Sequence, residues 1–267
     1  MVVLSIFAKR FNHSAMNKIA LITGATSGIG KATAITLSSN GWDIIITGRR
    51  ENLLNELKNL IQQTSAAKVY SLSFDVRDRE QVNRAIDSLP ENWKKIDLLV
   101  NNAGLASGLD PLHEGDYEDW EKMIDTNVKG LLYVSQKVAN LMIPRQKGQI
   151  INISSIAGKE VYPAGNVYCA TKHAVDSLTK AMRLDFLKYN IKVGSISPGM
   201  VETEFSIVRF HGDTTRASNV YNGITPLSAE DIAETVLFMV SRPPHVSIDD
   251  VIIMPTAQGS ARDVHRQ

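Results

Sequence analysis

Ile19-Ala20-Leu21-Ile22 is an apolar run that breaks straight into Thr23-Gly24-Ala25-Thr26-Ser27-Gly28-Ile29-Gly30. No other segment constrains the fold as much. Consecutive apolar residues without polar alternation suit a strand buried on both faces, the condition of a parallel sheet covered by helices. The glycines then permit a tight turn (Gly24), backbone approach to a bound group (Gly28) and close packing of a helix starting near Ile29 (Gly30). A helix N-terminus aimed at that turn is an anion site, so Gly24, Thr26, Ser27, Gly28, Ile29 and Gly30 are expected around a pyrophosphate. The spacing is G-x-x-x-G-x-G, not the general G-x-G-x-x-G fingerprint. A glycine-rich turn alone marks only a loop; its place behind a first strand gives it weight.

The alternation continues to the C-terminus. Apolar, strand-like runs lie near 19–23, 43–47, 69–72, 96–100, 149–153, 191–196 and 250–254. Helical patterns with polar faces fill the intervals, as in Asn52-Leu53-Leu54-Asn55-Glu56-Leu57-Lys58-Asn59-Leu60. This predicts an α/β fold, a doubly wound parallel sheet of about seven strands, in a single domain over 17–267. The segments Thr126 to Met142 and Val167 to Tyr189 read as helices with apolar residues on more than one face, which fits deep burial or a subunit interface. Residues 1–16 read as an N-terminal extension, an upstream start or a disordered arm. Their positive charges follow the apolar stretch, the reverse of a secretory signal.

A second constellation moves a proton. Ile153-Ser154-Ser155 is followed by Tyr168-Cys169-Ala170-Thr171-Lys172. On a helix, Tyr168 and Lys172 are an i,i+4 pair on one face. A phenol, with a pKa of about 10, is a poor base at neutral pH unless a nearby cation favours the phenolate. Ser155 supplies a neutral hydroxyl that can hold a substrate oxygen near Tyr168. Taken alone, Tyr and Lys at this spacing are an ordinary exposed pair; the glycine turn upstream weighs against that.

Together these motifs resemble the short-chain dehydrogenase/reductase family, from Asn17 to the C-terminus. The resemblance implies a Rossmann fold and hydride exchange between a nicotinamide cofactor and a carbonyl or alcohol. It assigns Ser155, Tyr168, Lys172 and Asn127 as the catalytic set, Asn127 holding a water that relays protons through Lys172. It places Asp75 and Val76 at the adenine, and Asn102, Ala103 and Gly104 beneath the ribose and nicotinamide. Pro198, Gly199, Val201 and Thr203 fall above the nicotinamide. The second strand ends in Gly48-Arg49-Arg50, where NAD-preferring enzymes carry an acid for the ribose 2′-hydroxyl. Two guanidinium groups there suit a 2′-phosphate, so the expected cofactor is NADP(H).

The segment 199–213, the loop 163–168 and the tail Val264-His265-Arg266-Gln267 look like those of NADP-dependent 3-hydroxy acid dehydrogenases. Such enzymes oxidise serine and L-allo-threonine at C3 and reduce malonic semialdehyde to 3-hydroxypropionate. A carboxylate-bearing hydroxy acid or semialdehyde needs a cation, and Arg209 is the lid candidate, with Lys159 a second. The family also includes broader carbonyl reductases and NADP(H)-sensing proteins that have lost catalysis; the intact set argues against the latter. The resemblance implies a homo-oligomer, a dimer of dimers built on the two long helices.

Composition sets bounds. With Lys+Arg 29 against Asp+Glu 28, nothing suggests nucleic acid or an anionic membrane as partner. No stretch approaches the roughly eighteen apolar residues of a membrane span. The single cysteine, Cys169, excludes an intrachain disulfide and fits a reducing compartment, so a cytoplasmic location is expected. The six histidines are scattered and no metal site is expected.

Overall fold

The computed structural model describes residues 17–267, so the extension read at 1–16 lies outside the described residues. The strands are β1 (Lys18–Ile22), β2 (Trp42–Gly48), β3 (Val69–Ser73), β4 (Ile96–Asn101), β5 (Gly148–Ile153), β6 (Ile191–Pro198) and β7 (Asp250–Ile253). Helices follow in chain order as α1 (Gly28–Ser39), α2 (Glu51–Thr64), α3 (Arg79–Asp87), α4 (Tyr117–Ile124) and α5 (Leu131–Met142). The remainder are α6 (Asn166–Phe186), the short α7 (Phe205–Arg209) and α8 (Thr214–Asn219), and α9 (Ala229–Val240).

The sheet has seven strands in the order β3-β2-β1-β4-β5-β6-β7, and every pairing is parallel. From β1, mid-sheet, the chain winds out to β3, then crosses back to β4. That reversal opens a crevice at the carboxyl ends of β1 and β4, where open α/β sheets bind ligands. Strand residues divide by parity. Ala20, Ile22, Ile44, Ile46, Leu98 and Val100 pack under α1, α2 and α9; Leu21, Ile45, Leu99 and Ile150 pack under α3, α5 and α6. Both faces of the central strands are covered, which is why β1, β2 and β4 read as nearly unbroken apolar runs. Each helix meets the sheet through a narrow stripe, Leu54, Leu57 and Ile61 on α2 for example. Starts are fixed by caps: Asp78 accepts from the Gln81 N–H before α3, and Ser228 with Asp231 forms a capping box on α9.

One element departs from expectation. The helix read from Thr126 begins at Tyr117, and α4 passes through a π turn at Asp125–Gly130 before α5. The wide turn accommodates an extra residue and leaves Thr126 and Asn127 buried. The helix read from Val167 to Tyr189 is α6, closed by a 3₁₀ turn at Leu187–Tyr189. The two long helices leave Leu132, Leu184 and Leu187 exposed. Among the described residues no helix is long and apolar enough to cross a membrane.

Ile45 is fully buried at the centre of the second layer. Ile45→Ala should lower the unfolding free energy by about 2–5 kcal/mol, read as a shifted urea midpoint at unchanged m-value. A loss below about 1 kcal/mol would mean that the layer relaxes around the cavity.

Candidate active site

The crevice floor is a clasp between the ends of β1 and β4. Thr23 Oγ1 accepts from the backbone N–H of Asn102 at 3.0 Å and of Ala103 at 2.9 Å. The Asn102 amide donates back to the carbonyls of Thr23 at 2.9 Å and Gly24 at 3.1 Å. Gly24 (φ 65°) and Gly28 (φ 50°) turn through the left-handed region. A Cβ on Gly30 would collide with the Gly24 carbonyl and the Asn102 amide. The glycines are therefore set by contact distance, and they leave bare backbone facing a cleft of about 370 Å³.

All the residues expected at the cofactor line this cleft except Gly30, which packs beneath it. At its outer end Arg50 donates to Thr26 Oγ1 and Ser27 Oγ, both at 3.0 Å, and to Glu204 Oε2 at 3.2 Å. Arg49 is more exposed, 3.8 Å from Asp75. Asp75 is held by Arg77 at 2.7 Å; burial acts against its charge, but the hydrogen bonds and charge of Arg77, with Arg49, hold the carboxyl below its usual range. Gly48 has a steric reason as well as the electrostatic one: its Cβ would lie 2.8 Å from Thr26 Cγ2. These residues make a cation-rich mouth over a glycine cradle, the shape and charge of a dinucleotide with an additional phosphate.

At the inner end stand Ser155, Tyr168 and Lys172, with Asn127 behind them. Ser155 Oγ accepts from the Ala157 N–H at 3.1 Å, which leaves its own O–H to donate into the cleft. Tyr168 and Lys172 lie one turn apart on α6, with Lys172 Nζ 5.9 Å from the phenol ring centre. Lys172 Nζ donates to the Ile153 carbonyl at 3.0 Å, and burial draws its pKa down to about 8. Burial also pushes the Tyr168 phenol above its ordinary value; the Ser155 hydroxyl and the Arg209 charge oppose that shift. The expected depression by Lys172 is not what dominates here. Asn127 spends its amide on the Leu105 backbone, accepting at 2.9 Å and donating at 2.8 Å, and donates to Thr171 at 3.1 Å. A Cβ on Gly104 would sit 3.2 Å from Asn127 Oδ1 and 3.5 Å from Lys172 Nζ, so the glycine keeps the space between them open.

The segment after β6 arches over the cleft. Gln258 Oε1 accepts from the Met200 N–H at 2.8 Å, and the position of a Gly28 Cβ lies 3.2 Å from Thr203. Arg209, at the end of α7, flanks Tyr168 on the side of a small adjoining cavity rather than lining the main cleft. Its guanidinium carbon lies 5.5 Å from the Tyr162 ring centre and 5.7 Å from that of Tyr168, and its Nη2 is buried without a hydrogen-bond partner. Lys159 is not brought to the site: it is held between Asp176 and Asp250, the latter at 2.7 Å, so its charge is already balanced. Tyr162 and Glu204 escaped the sequence reading, since an aromatic or an acid in a loop gives no pattern to find. Cys169 is buried beside Tyr168, and burial raises its thiol pKa, as expected of a small core residue.

Behind the site runs a buried polar chain. The Asn101 amide donates to Ser135 Oγ and Asn152 Oδ1, both at 2.8 Å, and the Asn152 amide donates to Thr179 Oγ1 at 2.9 Å. It ties β4 and β5 to α5 and α6.

Comparison with known proteins gives concordant results. The short chain dehydrogenase family pattern matches residues 18–213. An NADP-dependent 3-hydroxy acid dehydrogenase of Schizosaccharomyces pombe is 41% identical over 94% of this chain and 97% of its own. Sulfoacetaldehyde reductase 2 of Chromohalobacter salexigens is 42% identical over 91% and 96%. The closed form of a serine dehydrogenase complexed with NADP+ superposes with a TM-score of 0.88 at 43% identity, covering 93% of this chain and 100% of that one. Among the described residues no cluster of His, Cys, Asp and Glu could hold a metal ion.

Lys172 carries a pH signature. Its pKa falls from 10.5 to about 8 in the fold, so the unfolded chain keeps that proton longer. Its contribution to stability therefore rises as pH climbs from about 8 to 10.5 and is lost as pH falls back through 8. Urea midpoints of the ligand-free wild type and Lys172→Met should converge across this window as the wild type gains. Parallel curves would mean that the amine is not depressed.

Proposed function

The chain belongs to the short-chain dehydrogenase family, and on that premise we propose that it interconverts hydroxyl and carbonyl at C3 of a small 3-hydroxy acid, with NADP(H) as cofactor. Candidate substrates are serine, L-allo-threonine and the 3-hydroxypropionate/malonic semialdehyde pair. At the coarser level it is an NADP-dependent oxidoreductase acting on CH–OH donors. When bound, the nicotinamide supplies or accepts the hydride; the chain's own residues do the rest.

The glycine turn and the N-terminus of α1 would hold the pyrophosphate, and Thr26, Ser27, Arg49 and Arg50 would hold the 2′-phosphate. Ser155 donates to the substrate oxygen and holds it against Tyr168. In reduction the Tyr168 phenol gives its proton to the carbonyl oxygen; in oxidation it first passes that proton on through Lys172, and the phenolate then takes the hydroxyl proton. Asn127 is proposed to hold a water that passes protons through Lys172.

The observation that carries the acid part of the reading is Arg209. A guanidinium with a buried, unpartnered Nη2 stands against the ring of Tyr168. The carboxylate of a 3-hydroxy acid lies two bonds from the reacting carbon, so one side chain pair can take both groups. The names of the relatives support the same reading, since 3-hydroxy acids and sulfoacetaldehyde share an anionic head beside a hydroxyl or carbonyl.

The direct test is NADPH formation with serine, L-allo-threonine and 3-hydroxypropionate, and NADPH oxidation with malonic semialdehyde. Tyr168→Phe should retain NADP(H) affinity and lose roughly 10²–10⁴-fold in turnover. More than about a tenth of wild-type turnover in that variant would remove Tyr168 from its role. Cofactor choice is best tested at Arg50, because an acid at Gly48 would also strike Thr26. One charge-assisted bond is worth about 1.5–3 kcal/mol, so Arg50→Ala should raise KM for NADP roughly tenfold to hundredfold and leave that for NAD unmoved. Equal use of both cofactors by the wild type would overturn the phosphate assignment.

A further inference from the structure

Asp119 has no part in the chemistry described above, yet it is among the most buried carboxylates of the chain, 5% exposed, near the N-terminus of α4. Two segments that border the site converge on it. Ser107, in the loop after β4, donates to Asp119 Oδ1 at 2.6 Å. His211, just past α7, brings Nε2 within 3.1 Å of Asp119 Oδ2. Lys122 lies further off, at 3.7 Å, and is half exposed. Gly108 packs over the same carboxylate in a left-handed conformation (φ 71°), and a Cβ there would fall 3.0 Å from Oδ2.

Those two segments also hold Arg209. The Gly108 N–H donates to the Arg209 carbonyl at 2.9 Å. Arg209 Nε donates to the Gly108 carbonyl at 3.3 Å. The backbone and side chain of Arg209 are thus gripped by the residue that lies on Asp119, and the chain two residues on is pinned to Asp119 through His211. His211 keeps a left-handed backbone (φ 53°) where α7 closes, the Gly212 N–H donating to the Ile207 carbonyl at 2.8 Å. The cavity between these parts is bounded by Ser107, Gly108, Asp119, Tyr168 and Arg209.

We propose that Asp119 is a positioning residue for substrate specificity: through Ser107, Gly108 and His211 it fixes the end of the lid so that the Arg209 guanidinium faces the anionic head of the substrate beside Tyr168. This rests on the reading of Arg209 as the carboxylate's partner. The carboxylate of Asp119 is placed to act on Arg209 and not on the reacting oxygen, because its contacts run to the lid and the β4 loop. Loosening it should therefore weaken recognition of the anion and spare chemistry on an uncharged carbonyl.

The test compares wild type, Asp119→Asn, His211→Ala and Arg209→Ala with NADP(H), each on serine and on an uncharged short diketone. Asp119→Asn and His211→Ala should each raise KM for serine roughly tenfold, the scale of one weakened charge-assisted bond. KM and kcat for the diketone should stay within about twofold, the error of such comparisons being small against tenfold. In Arg209→Ala, adding His211→Ala should bring no further rise, because the group being positioned is gone. If Arg209→Ala raises KM for serine while the other two do not, the positioning role is overturned and the reading of Arg209 stands. If Arg209→Ala leaves KM for serine unchanged, the reading itself falls and the proposal with it. A diketone KM that rises in parallel would show a merely structural role and overturn the proposal too. Should Asp119→Asn fail to fold, His211→Ala, at a half-exposed side chain, decides the matter by itself.

Discussion

The clasp of Thr23 and Asn102 is the constraint on which the rest of the site depends. It joins the carboxyl ends of β1 and β4 where the sheet reverses its winding, and it does so with a side chain from each strand bonding the other's backbone. Because the Asn102 amide occupies the space under Gly24 and Gly30, α1 can begin only if those positions carry no Cβ. The direction of α1, the bare backbone of the cleft and the seat of Thr203 on Gly28 follow from that one packing requirement.

Charge is distributed unevenly along the cleft. Its outer end is solvated and cationic, with Arg49 and Arg77 around Asp75 and Arg50 against Glu204, and there Coulombic contacts are screened. The inner end is buried, so desolvation is the larger influence on Tyr168 and Lys172 and moves both toward their neutral forms. A phenol giving its proton to a carbonyl oxygen from this setting would leave a phenolate whose charge the neighbouring ammonium offsets. That is a different route to an active pair than a strong cation forcing a phenolate, the arrangement the i,i+4 spacing alone suggests.

Much of this was legible in the chain. The seven strands fall within a few residues of the apolar runs, most plainly β1, β2 and β4, where both faces are covered and a nearly unbroken run records that directly. The glycine positions record contact distances, and Arg49 and Arg50 fall at the cleft because the end of β2 does. What was not legible depends on the third dimension. The π turn around Asn127 costs no unusual residue, so its segment looks like plain helix. Lys159 and Arg209 are equivalent as loop cations; only the fold puts Asp176 and Asp250 around one and two tyrosine rings beside the other. Tyr162 had no periodic context at all.

The polar chain under the site bears on how the sheet is assembled. Strands that are apolar on both faces lose the usual safeguard against misalignment, because a slip of one residue exchanges one isoleucine or leucine for another. In the centre of this sheet Asn101 and Asn152 are direct partners across β4 and β5, and each amide is also tied to a hydroxyl on a helix of the same layer. A shifted pairing would bury two carboxamides with nothing to bond, at a cost of about 1–3 kcal/mol for each group left unsatisfied. The pair thus works as an index mark: the most interchangeable strands of the fold are aligned by their least interchangeable residues, and the residues that follow, Asn102 on one strand and Ser155 on the other, reach the cleft in step.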